Sequence, residues 1–207
     1  NFNLANGVIV NGITNSELPL VQFQLRLKGG LLLDQPEKTG VANLTAVMMN
    51  RGTANKTVAE LEEAIEELGA SINVRSGQQY ITISGNTLAR NFQATINLVE
   101  EILLEPRWDE TEFKLAKQSV LSQIATQSAN PNSIATNTFN KLIYGENNIL
   151  SSNAIGTTIT VEGILLEDLK NYYNSYFSAT VASYEVVGAI TEENVKMALS
   201  GIEQRWN

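Results

Sequence analysis

Between Leu18 and Lys28 the chain alternates: Val21, Phe23, Leu25 and Leu27 fall on one face, Gln22, Gln24, Arg26 and Lys28 on the other. A period of two belongs to a β-strand with one buried and one wetted side. A sheet built on such a strand must cover its apolar face, and helices on that side are the usual solution. Gly29-Gly30 ends the strand. Ser71 to Ser76 and Tyr80 to Asn86 read as two more strands joined in a hairpin at Gly77-Gln78, and Val181 to Ile190 as another; Leu4 to Ile13 is an apolar stretch around Asn6-Gly7.

The helices announce themselves by caps and by spacing. Thr57-Val58-Ala59-Glu60 is a capping box; Val58, Leu61, Ile65 and Leu68 then recur at three and four, Glu62, Glu63, Glu66 and Glu67 face outward, and Gly69 is placed to stop the helix. Gly40 to Met49 carries too many apolar positions for a surface helix and predicts a mostly buried one, with Leu44, Val47 and Met48 in the core. Leu88, Phe92, Ile96, Val99 and Leu103 mark a helix that ends by Pro106. Asp109 with Glu112 opens a long helix to about Gln127, and Pro131-Asn132-Ser133 separates it from one at about Ile134 to Ile143. Tyr144 to Gly163 reads as a polar, glycine-punctuated loop, Leu166 to Phe177 as a helix with Leu169, Tyr172, Tyr173 and Tyr176 on or near its inward face, and Thr191 as the cap of a last helix to about Arg205. No internal repeat or linker composition divides the chain. The expectation is one α+β domain over residues 1–207, with an antiparallel (mixed) sheet and helices packed mainly on one face.

Chemistry is constrained by two absences: the chain has no histidine and no cysteine. That removes imidazole and thiolate nucleophiles, the Ser-His-Asp triad and the usual nitrogen and sulfur zinc sites. Neither S-x-x-K nor a glycine-rich phosphate loop occurs. The five glutamates from Glu60 to Glu67 lie on the wet side of an amphipathic helix, and Asp34, Glu37 and Lys38 read as turn chemistry. With 22 acidic against 14 basic residues and a net charge of −8, no nucleic acid or anionic membrane is expected as partner. No apolar run is long enough to span a bilayer. Asn1 rather than Met opens the chain, as in a mature product or a piece of something longer.

Several segments read in register with a known family: LANGVIVNGI, the alternating strand running into GG, then GVANLTAVMMNRGT, ELGASINVRSGQQYITISG, LLEPRWDETEF, LIYGENN, EDLKNYYNSYFS, SYEVVGAIT and the closing Arg205-Trp206. In these the chain resembles the pitrilysin and insulinase metallopeptidases, which include the mitochondrial processing peptidases. The resemblance implies the position of an H-x-x-E-H motif, in which two His bind zinc and a Glu activates water. In register, those three positions hold Asn43, Ala46 and Val47, and the family's third ligand, a Glu in a V-L-x-E segment, falls at Gln123. None of the four serves as a good zinc ligand or a base. Two facing amides, Asn43 and Gln123, are expected to hydrogen-bond each other across the old pocket. Leu166 stands where the family commonly caps its helix with Thr.

The family's members pair similar halves, each of two related domains, around a peptide substrate. The resemblance therefore implies a catalytically inactive domain, the first of a non-catalytic half of a larger or heteromeric zinc protease, with no cofactor in this chain and zinc only in an active partner half. It leans toward a bacterial periplasm or cell envelope. Ser71, Ile72, Asn73 and Val74 match the edge strand along which an active domain extends peptide. The alternative is a stand-alone peptide- or protein-binding module that uses this degenerate edge. A domain of a chamber, taken alone, should expose an apolar docking face.

Overall fold

The computed structural model describes residues 1–146 and 148–206; Asn147, in the expected loop, lies outside them. The strands are β1 (Phe2–Asn3), β2 (Ile9–Thr14), β3 (Leu20–Lys28), β4 (Ser71–Ser76), β5 (Tyr80–Leu88) and β6 (Ala182–Gly188). They form one six-stranded sheet in the order β1-β2-β6-β3-β5-β4. β2 runs parallel to β6 and the other neighbours are antiparallel, so the sheet is mixed. The alternation predicted for β3 is literal: Val21, Phe23, Leu25 and Leu27 are buried, while its polar residues lie on the wet face.

The helices are α1 (Val41–Met49), α2 (Val58–Glu67), α3 (Phe92–Leu104), α4 (Glu110–Ser128), α5 (Pro131–Tyr144), α6 (Thr158–Gly163), α7 (Leu166–Tyr176) and α8 (Glu192–Arg205). The apolar stripes of α1, α3, α4, α7 and α8 contribute to the same buried cluster as the inward residues of the sheet. Within it Phe23 is stacked on Tyr184 at 6.3 Å and edge-on to Phe92 at 6.5 Å. Gly85, opposite Phe23 on β5, leaves room for that ring: a Cβ there would stand 2.7 Å from Phe23 Cζ and 2.0 Å from the Ser71 carbonyl oxygen.

The expected caps form. Thr57 and Glu60 make the reciprocal box of α2, Asp109 accepts from the N–H groups of Thr111 and Glu112 at 2.8 and 3.0 Å, and Thr191 accepts from Asn194.

Four boundaries differ from the sequence reading. Leu88 closes β5 instead of opening a helix, because its strand pairs with Leu20 and a short 3-10 turn intervenes before Phe92. Pro131 begins α5 as its first residue, with Asn130 as cap, where a missing N–H costs nothing. The segment read as loop holds a 3-10 turn over Ile149–Ser151 and the helix α6, capped by Thr157. The cap of α7 is Leu165, and its N–H donates to Asp168 at 2.9 Å; Leu166 is already helical, so no hydroxyl is needed there.

Candidate functional site

α1 carries three of the four motif-matching positions, and its start is fixed from outside. Gly40 enters it with φ +105°, where a Cβ would meet the Ile155 carbonyl oxygen at 2.9 Å. The first turn has no acidic residue of its own. Asp34, 7% exposed, supplies one: its carboxylate accepts from Gly40 N–H at 2.7 Å and Ala42 N–H at 2.9 Å. This is the favourable charge at a helix N-terminus. Burial nevertheless outweighs those two donors and pushes the carboxyl up to about 6. The Thr45 hydroxyl donates back to the Val41 carbonyl at 2.9 Å, so a buried polar group inside α1 is satisfied.

Along α1, Ala42, Leu44, Ala46, Met48 and Met49 are buried, whereas Asn43 and Val47 are half-buried. Val47 packs on the edge of the core rather than in its centre. α4 lies beside α1, and Arg51 just past the end of α1 reaches Glu112 at 3.5 Å. On α4 the residues turned inward are Phe113, Ala116, Val120 and Ile124, which leaves Gln123 exposed. The expected amide pair does not form. Asn43 Nδ2 is buried and has no hydrogen-bond partner, while Gln123 faces water, where its own amide is solvated. The four positions therefore supply one orphaned amide nitrogen, two hydrocarbon side chains and a solvated amide, which do not fit zinc. Among the described residues, no three or more acidic residues converge in a group able to hold a metal.

β4 stands at the end of the sheet, with β5 on one side and, among the described residues, no strand on the other. Ser71 and Asn73 are exposed, Ile72 is half-buried and Val74 is buried. The end of α1 reaches this edge. Asn50 donates from Nδ2 to the Val74 carbonyl at 2.9 Å and to the Ala46 carbonyl at 2.8 Å, and its Oδ1 accepts from Val74 N–H at 2.9 Å. The sequence reading did not single out Asn50. Its partner lies 24 residues away, and only folding brings them together.

The wet face of the sheet forms an open groove of about 680 Å³ lined by Gln22, Gln24, Asn73, Arg75, Asn86 and Glu185, among others. A second surface is apolar: α5 has no buried residue and presents Ile134, Phe139, Leu142 and Ile143 to solvent, Leu142 at 81% exposure.

The chain is similar to a Bacillus subtilis protein called an uncharacterized zinc protease, YmxG, at 22% identity over 195 residues, which is 94% of this chain and 47% of that one. It is 24% identical over 163 residues to a Helicobacter pylori protein called a non-peptidase homolog, covering 79% of this chain and 38% of that one. A solved Pseudomonas fluorescens structure described as a peptidase M16 inactive domain superposes with a TM-score of 0.92 at 22% identity, over 99% of this chain and 50% of that one. The chain thus spans about half the length of the relatives it matches, or less. In the register of the family motif, Asn43, Ala46, Val47 and Gln123 offer neither a zinc ligand set nor a general base. Residues 13–157 match the model of the insulinase family, peptidase family M16, and the chain belongs to that family.

Proposed function

We propose that this chain is a non-catalytic wall of a larger zinc protease, packed against an active half that supplies zinc, water and the general base. One observation supports the reading: a dedicated buried carboxylate, Asp34, holds the start of α1, the helix on which the register of the family motif falls at Asn43, Ala46 and Val47. On this reading the scaffold of the site is kept and its reagents are gone. Such a domain contributes shape and positioning to a peptide held elsewhere, which lowers the entropic barrier of a reaction without taking part in it.

Two surfaces support a partner. The exposed apolar stripe of α5 is unusual for a surface helix of a free-standing domain, and it lies in a stretch, 113–145, whose charged residues are Lys114, Lys117 and Lys141 alone. The polar groove on the sheet can take a second packed element.

The test is metal content and turnover. After exposure to zinc and buffer exchange, the purified chain is expected to retain well under one equivalent and to leave a quenched peptide uncut. Chelator-sensitive hydrolysis by the chain alone would overturn the proposal.

A further inference from the structure

The two-sided bond between Asn50 and Val74 decides what the β4 edge can do. In an antiparallel pair, residues alternate between exchanging ladder hydrogen bonds with their neighbour and pointing their backbone groups away from it. Val74 gives both its N–H and its C=O to Asn50, so it is one of the residues that point away from β5. All six residues of β4 stand opposite β5, Val74 opposite Ile83; by the same alternation Ile72 and Ser76 point their backbone groups away too, whereas Ser71, Asn73 and Arg75 exchange bonds with Asn86, Ser84 and Thr82. Gly77 N–H donating to the Tyr80 carbonyl at 2.8 Å fits this register. The open edge of β4 thus offers three pairing positions to an added strand, and the central one is taken.

The Asn50 carboxamide donates and accepts at a single residue, as a strand residue does in a hydrogen-bonded pair. It is fixed in that pose by its third bond, to the Ala46 carbonyl in the last turn of α1. An extended peptide cannot run past Val74 without displacing it.

We infer that Asn50 acts as a built-in surrogate strand that closes the β4 edge to extended peptides. An open sheet edge invites pairing with any extended chain, and a side chain that satisfies its central backbone groups blocks both ligand and aggregate. This deepens the function proposed above by naming how the non-catalytic half is kept from competing for peptide. It stands apart from that proposal experimentally, because neither zinc content nor turnover depends on Asn50.

The test has two parts on the 207-residue chain. Residue-resolved amide hydrogen exchange of the unaltered protein should find Val74 slow and Ile72 and Ser76 faster by 100-fold or more, with Asn73 and Arg75 protected by β5. Val74 exchanging as fast as Ile72 and Ser76 would overturn the inference without any variant. Asn50→Ala should then move Val74 to the fast group while leaving Asn73 and Arg75 protected. It should also bind a capped octapeptide of alternating valine and threonine at least tenfold more tightly than the unaltered chain does, read by fluorescence anisotropy. Equal affinity of the two proteins overturns the inference; a variant that fails to fold leaves the exchange pattern of the unaltered protein to decide.

Discussion

Asp34 holds the N-terminus of α1 at a cost that depends on pH. Its folded pKa of about 6 lies above the ordinary aspartate value of 3.8, because burial disfavours the charged form, so the folded state binds the proton more tightly than the unfolded chain. The sign follows: the stability linked to this group is fully present below about pH 3.8 and is lost as pH rises through about 6. A shift of that size corresponds to on the order of 3 kcal/mol. Denaturant unfolding of the protein and of Asp34→Asn, compared from pH 3.5 to 7, should give a stability difference that shrinks for the unaltered protein by about that amount. A difference that stays flat across the window would refute the assignment. Asn43 makes the opposite kind of case. Its buried Nδ2 has no partner, and an unsatisfied donor costs about 1–3 kcal/mol. Asn43→Leu should raise the melting temperature by a few degrees, and a drop would mean the amide has a partner in solution.

The secondary-structure elements were readable where a local rule was sufficient. The alternation of β3 and the box Thr57-x-x-Glu60 need no tertiary context, so both appear where expected. Thr57→Ala should cost about 1 kcal/mol, because the Glu60 N–H at the start of α2 loses its acceptor. Matching denaturation midpoints for the two proteins would show that the box does little. The misread boundaries share a different cause. Leu88 is apolar at helical spacing from Phe92, and only its pairing with Leu20 on a distant strand assigns it to the sheet. The expected bond between Asn43 and Gln123 fails for a similar reason: on α4 the core-facing row, at helical spacing, is Phe113, Ala116, Val120 and Ile124, which turns Gln123 toward water. Asn50 could not have been found this way, since nothing local distinguishes a helix-terminal Asn that bonds a strand from one that bonds water.

At the scale of the whole molecule, apolar burial and apolar exposure are unevenly shared among the helices. Forty-odd side chains make one continuous core, yet α5 adds none to it. A substitution at its most exposed position, Leu142→Lys, should change stability by less than about 0.5 kcal/mol, because the side chain is already in water. It should weaken association with an active half, or lower any self-association of the chain at high concentration, measured as native mass. Unchanged association would remove α5 from the interface.

The strand order also sets a timetable for the ribosome. β2 needs β6 as its inner neighbour, and the Asn6 side chain donates to the Trp206 carbonyl across 200 residues of sequence. At about 5–20 residues per second, the first strands emerge roughly ten seconds or more before their partner exists. Through that interval β3 can pair with β5 and β5 with β4, while β1 and β2 wait. The β1–β2 hairpin therefore keeps an unpaired inner edge until β6 has been made.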